Sequence, residues 1–151
     1  MSDLTKLITV DKKYINTDKH PCPTEWLLQM FGPPRGTITD DCQPPTNGKW
    51  KAMFTTGYKM GNIKCSGHKK FLAVLSEGLQ EVRDKKPELY RSLGTAGCLC
   101  IRRVRGSKDK FSNHSFGMAI DFTINGVLGK RGDGYALQGY LDLYSILKNH
   151  G

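Results

Sequence analysis

The sequence predicts an α+β fold. Two periodicities carry that expectation: apolar residues recur at helical spacing over residues 66–84 and 137–147, whereas they alternate two by two over residues 117–123. A third observation is negative, since strand and helix signals do not alternate regularly enough for a parallel α/β sheet. At 151 residues the chain suits one domain that can bury a core.

Taken in order, residues 1 to 21 are polar, with one short strand expected near Leu7 to Val10. Pro23 to Phe31 reads as a short helix, with proline at an early position and Gly32-Pro33-Pro34 ending it. Gly, Pro, Asp and Asn mark Arg35 to Gly48 as a loop, and Trp50 to Tyr58 is expected to be a strand. Ser66 is the expected N-cap of the main helix, in which Phe71, Leu72, Val74, Leu75, Leu79 and Val82 form one face up to Asp84. Pro87 begins a shorter helix through Leu93, which Gly94 is suited to close.

Cys98 to Arg105 reads as a strand leading into a loop from Gly106 to Phe111. From Gly117 onward Met118, Ile120 and Phe122 share one face, and Gly117, Ala119, Asp121 and Thr123 the other. Asn125-Gly126 is a hairpin signal that turns Val127-Leu128 back on this strand. After the loop Gly129 to Gly134, residues Leu137 to Leu147 form a last amphipathic helix.

The stretch Ser112 to Thr123 carries the chemistry. If residues 114 to 121 were extended at about 3.3 Å each, His114 and Asp121 would lie about 23 Å apart, so sharing an ion requires a bend, and Gly117 can supply it. An imidazole and a carboxylate are ordinary zinc ligands, and a catalytic zinc needs a third ligand and an open position. Spacing alone leaves open a loop histidine beside a strand-end carboxylate.

The pattern Ser112-x-His114-x-x-Gly117-x-Ala119-x-Asp121, with Gly97 to Ser107 upstream and Thr123 to Gly134 downstream, resembles the zinc D-alanyl-D-alanine carboxypeptidase and L-alanyl-D-glutamate endopeptidase family, in its phage endolysin-like branch. The resemblance covers roughly residues 97 to 140. It implies the hedgehog/DD-peptidase fold, with a small antiparallel sheet packed with helices and residues 1–45 as an N-terminal extension. It implies a zinc cofactor held by His114 and Asp121, hydrolysis of peptidoglycan stem peptides, and Ser112, Gly117 and Ala119 beside the ligands or lining the substrate pocket. Strand parity does not separate Arg102 from Arg103 or Arg105, whereas the resemblance assigns the substrate-binding or oxyanion-stabilising arginine to Arg102. It also implies a C-terminal His-x-Glu segment supplying the third ligand and the general base. No His-x-Glu occurs in this sequence, and His150 has no glutamate two residues on. The expectation is therefore a C-terminally truncated form, inactive alone, that lacks the strand carrying the third metal ligand.

Other readings are weaker. Cys65, His68, Cys98 and Cys100 are a conceivable structural zinc set, but buried thiols and a surface histidine account for them more simply. Ser112 lacks the surroundings of a nucleophilic serine, and Arg131-Gly132-Asp133 is a chance tripeptide in a glycine-rich loop. Lys and Arg number 23 against 14 acidic residues, a net charge of +9 that favours polyanions. Nucleic acid, anionic lipid and the acidic bacterial wall all stay open on charge alone; no nucleic-acid-binding motif is present, the resemblance implies the wall, and a non-catalytic basic wall-binding module of the same fold is the competing class. The five cysteines are not spaced as a disulfide framework, and no secretory leader or membrane span is evident. A monomer that accumulates reduced in the cytoplasm and reaches the wall after release, as phage enzymes of this type do, is expected.

Overall fold

The structure is a computed structural model describing residues 3–151. Met1 and Ser2, part of the expected N-terminal extension, lie outside the described residues. Among the described residues it is an α+β protein built from helices and three separate two-stranded antiparallel sheets, rather than from one small sheet.

The elements are β1 (Leu7–Thr9), α1 (Thr24–Phe31), α2 (Gly48–Met53), β2 (Phe54–Met60), β3 (Ile63–His68), α3 (Lys69–Lys85), α4 (Pro87–Ser92), β4 (Leu93–Gly97), β5 (Asp121–Ile124), β6 (Tyr135–Leu137) and α5 (Gln138–Leu147). β1 pairs with β6, β2 with β3 and β4 with β5. The N-terminal residues are tied into the body: Leu7 lies opposite Leu137, and Leu4 is buried in the main core.

Helix α3 organises that core. Leu72, Leu75, Leu79 and Val82 recur every three or four residues and are all buried, packed with Ile63, Leu89, Leu93, Ile124, Leu143 and Ile146. Val74, expected on the same face, stands 45% exposed. A second, smaller core gathers Leu27, Trp50, Phe54 and Phe116. Trp50 is completely buried and its indole N–H donates to the Gly32 carbonyl at 2.8 Å, so its polar edge is satisfied.

Four local expectations are corrected. Trp50 lies in helix α2, because the Asn47 side chain accepts the Lys49 N–H and caps a helical turn; the strand begins only at Phe54. Helix α3 is capped by His68, while Ser66 belongs to β3 and its hydroxyl accepts the Gly57 N–H across a β-bulge. Helix α4 ends at an extended Leu93, and Gly94 sits inside β4 opposite Thr123. Residues 98–105 form no continuous strand, only single bridges at Ile101 and Arg103, because their neighbours Gln43 and Phe111 come from irregular loops that offer no ladder.

The cysteine expectation is also overturned. Cys42 and Cys100 form a disulfide across 58 residues of sequence, next to the Gln43–Ile101 bridge that brings the two loops together. Cys22, Cys65 and Cys98 are free. With Cys100 engaged, the four-ligand set of Cys65, His68, Cys98 and Cys100 cannot assemble.

Candidate metal centre

Residues Asn113–Phe116 make one 3-10 turn that carries His114. The buried Ser112 caps it, its hydroxyl accepting the His114 N–H at 3.4 Å. Gly117 closes it in the left-handed region, φ 66° and ψ 24°. A Cβ at Gly117 would stand 2.5 Å from the His68 backbone nitrogen, so only glycine fits this turn. The bend expected between His114 and Asp121 is thus present, and it lets the chain double back within seven residues.

Asp121 is the first residue of β5, opposite Gly97 on β4. The Thr95 hydroxyl donates to its carbonyl at 2.9 Å and fixes the strand start. Its side chain is 55% exposed, whereas that of His114 is 15% exposed. His114 Nε2 and Asp121 Oδ2 lie 3.4 Å apart. Ala119, between them in sequence, is half-buried.

The hydrogen bond on the far side of the ring decides what this pair can do. His114 Nδ1 is 2.7 Å from the carbonyl of Cys98, an acceptor, so Nδ1 carries the proton and donates. In the neutral ring Nε2 then turns a lone pair towards a carboxylate, an arrangement that needs a proton or a cation between them. Charge-assisted N–H to O bonds run about 2.7–2.9 Å. The edge of a zinc tetrahedron with bonds of about 2.0–2.1 Å is about 3.3 Å, and the 3.4 Å separation is compatible with that spacing. The backbone carbonyl on Nδ1 is the usual outer partner of a metal-binding histidine.

A third donor is not at hand. Among the described residues no three His, Cys, Asp or Glu side chains come together as a metal group. His68 uses Nδ1 to accept the Lys70 N–H, and His150, which sequence left without a glutamate, has one in space: Glu81 Oε2 at 2.5 Å from its Nε2. Lys85 first, and then this imidazole, hold the Glu81 carboxyl below its ordinary value.

Arg102 follows the same loop, its backbone carbonyl accepting the Ser112 N–H at 3.0 Å. Its guanidinium donates to the Arg103 carbonyl at 2.9 Å, and no ion pair joins it to Asp121 among the described residues. Arg103 instead pairs with Asp40 at 3.2 Å.

Ser115 is the residue that sequence reasoning missed. Fully buried, its hydroxyl accepts the Arg102 N–H at 3.2 Å and donates to the Arg102 carbonyl at 3.1 Å, pinning the His114 turn to the arginine segment. The Cys100 N–H donates to the His114 carbonyl at 3.0 Å, so the crosslinked Cys100 and the His114 turn are direct neighbours. A serine between a histidine and a phenylalanine gives no signal of this in sequence.

Comparison of the chain with protein-family models, with curated proteins and with solved structures finds no match.

Proposed function

We propose that this chain carries the His/Asp half of a zinc peptidase site acting on peptidoglycan stem peptides. The observation that supports it best is the 3.4 Å separation of His114 Nε2 and Asp121 Oδ2, with Nδ1 already committed to a carbonyl. When bound, zinc would supply an acidified water and a Lewis acid for peptide hydrolysis. His114, held by Cys98 and by the Ser112 cap, presents one fixed lone pair. Asp121 offers a carboxylate at an open edge beside the small Ala119, whereas Gly117, buried against the His68 backbone, serves the turn rather than the substrate space. Arg102 has to leave the Arg103 carbonyl to reach a substrate carboxylate or a developing oxyanion, a role suited to a guanidinium that stays charged. By the sequence resemblance, the third donor and the general base belong to a His-x-Glu segment that residues 1–151 do not contain.

The second reading, a non-catalytic basic wall-binding module, is favoured by one observation: no third donor stands with the pair among the described residues. Two measurements separate them. Elemental analysis of the purified chain, followed by release of peptides from purified walls, should find zinc and, once the third donor is supplied, cleavage that Arg102→Ala weakens without removing zinc. Walls bound but uncut by a zinc-free protein would sink the peptidase reading. Loss of turnover in Arg103→Ala or Arg105→Ala, but not in Arg102→Ala, would move the arginine role.

A further inference from the structure

On the face of β5 away from Asp121 lies a groove of about 780 Å3, within the size range of about 300–1,000 Å3 usual for small-molecule sites. Ile120 and Phe122, which alternate with Asp121, form part of its wall, and Trp26 of α1 and Val74 of α3 line it too. Trp26 and Val74 are 48% and 45% exposed, so the groove leaves large apolar side chains in water.

Part of the groove's lining is basic. Helix α3, 17 residues long, begins there with Lys69 and Lys70, and its first turn contains no acidic residue. The start of a helix carries partial positive charge and unpaired N–H groups. His68, only 8% exposed, lines the groove as well. Because its Nδ1 accepts the Lys70 N–H, the ring proton sits on Nε2, and that N–H has no hydrogen-bond partner among the described residues. That nitrogen is not sealed from solvent, and His68 lines the groove, so an acceptor entering it can take up the N–H without displacing a protein partner. No Asp or Glu lines the groove, and the one other imidazole there, His150, is already paired with Glu81.

From these independent features we propose that the groove binds a single-chain fatty acid, its carboxylate against His68 and the Lys69-Lys70 start of α3, its alkyl tail along Phe122, Ile120, Val74 and Trp26. The apolar walls account for the tail and the unpaired imidazole N–H for the head. The site needs no zinc and is independent of the peptidase reading.

The test is calorimetric titration of the whole chain with laurate, with dodecanol and with phosphatidylglycerol vesicles, while Trp26 emission is followed as a reporter inside the groove. Laurate is expected to bind and to shift Trp26 to the blue, and dodecanol, lacking the carboxylate, to bind about tenfold more weakly, the size of one lost charge-assisted hydrogen bond. Val74→Glu, at an exposed helix position where the fold should stand, should abolish laurate binding, and Lys69→Glu with Lys70→Glu should weaken it about tenfold. His68→Asn keeps a good helix cap but removes the Nε2–H, and should weaken laurate more than dodecanol. Circular dichroism checks that each variant is folded. Absence of laurate binding, equal affinity for dodecanol, unchanged binding in folded Val74→Glu, or binding to vesicles alone would each overturn the proposal.

Discussion

His114 and His68 stand on opposite sides of one glycine and do opposite things with the same ring. The His114 Nδ1 faces a carbonyl and must donate, which leaves Nε2 as a lone pair for a cation. The His68 Nδ1 faces an N–H and must accept, which leaves Nε2 as a donor for an anion. Gly117 joins them: its carbonyl accepts the His68 N–H at 2.9 Å, and its own N–H donates to the His114 carbonyl at 3.2 Å. A single backbone partner, carbonyl or amide, thus decides whether a neutral histidine here offers a lone pair or an N–H at Nε2.

The two sides are held differently, and the largest expected effect breaks them apart. The His114 turn hangs on residues 98–102, which the Cys42–Cys100 bond fastens to the loop at Cys42, whereas His68 belongs to a β-hairpin running directly into the main helix. Closing a loop of this length contributes roughly 4 kcal/mol in the chain-entropy model. Reduction, or Cys42→Ser with Cys100→Ser, should lower stability to urea by that order and speed hydrogen exchange at Cys100 and Arg102 far more than within α3. Uniform loss of protection across both regions would contradict the division.

A smaller effect, of about 2–3 kcal/mol, is expected for Gly117→Ala, which combines left-handed strain with a Cβ pressed on the His68 nitrogen. This substitution should disturb both sides together, lowering zinc affinity and shifting the His68 ring resonances in NMR spectra. A change confined to His114 would mean the glycine does not couple the two. Next in size, His114→Ala or Asp121→Ala should each reduce zinc affinity at least about tenfold, since either leaves a single protein ligand of the pair. In isothermal titration His68→Asn should leave that affinity unchanged, and equal losses in all three variants would remove the metal assignment.

What sequence could reveal divides along the same line. The α3 face, the α5 helix, the Asn125-Gly126 turn with φ 49° and 77°, and the bend at Gly117 are local, set by periodicity or by a backbone that favours few residues. The His114 and Asp121 pairing is nearly local, seven residues apart about one glycine. The Cys42–Cys100 bond is not, because nothing in a 58-residue separation says that two loops will meet. Residues 98–105 mislead for a related reason: their alternation is strand-like, but a strand needs a partner, and the loops beside them provide only single bridges. The groove draws its walls from several segments far apart in sequence and has no signature in any one of them.

The smallest expected effect concerns protons and sharpens the contrast between the two rings. Burial first, and then the neighbouring Lys70 cation, hold the His68 imidazole below its ordinary value of 6.5 in the folded chain. The unfolded chain therefore takes up the proton at higher pH than the folded one, and wherever it binds more protons stability falls as pH falls. The contribution is fully present above about pH 6.5 and is lost progressively as pH drops from there to the lower folded value, below which it levels off. Urea midpoints measured from pH 7.5 downward should decline across that window, and His68→Asn, which cannot titrate but still caps α3, should flatten the decline. An unchanged slope in the variant would mean that another group carries it and that His68 is as easily protonated folded as unfolded, which would undo its assignment as a neutral donor held ready for an anion.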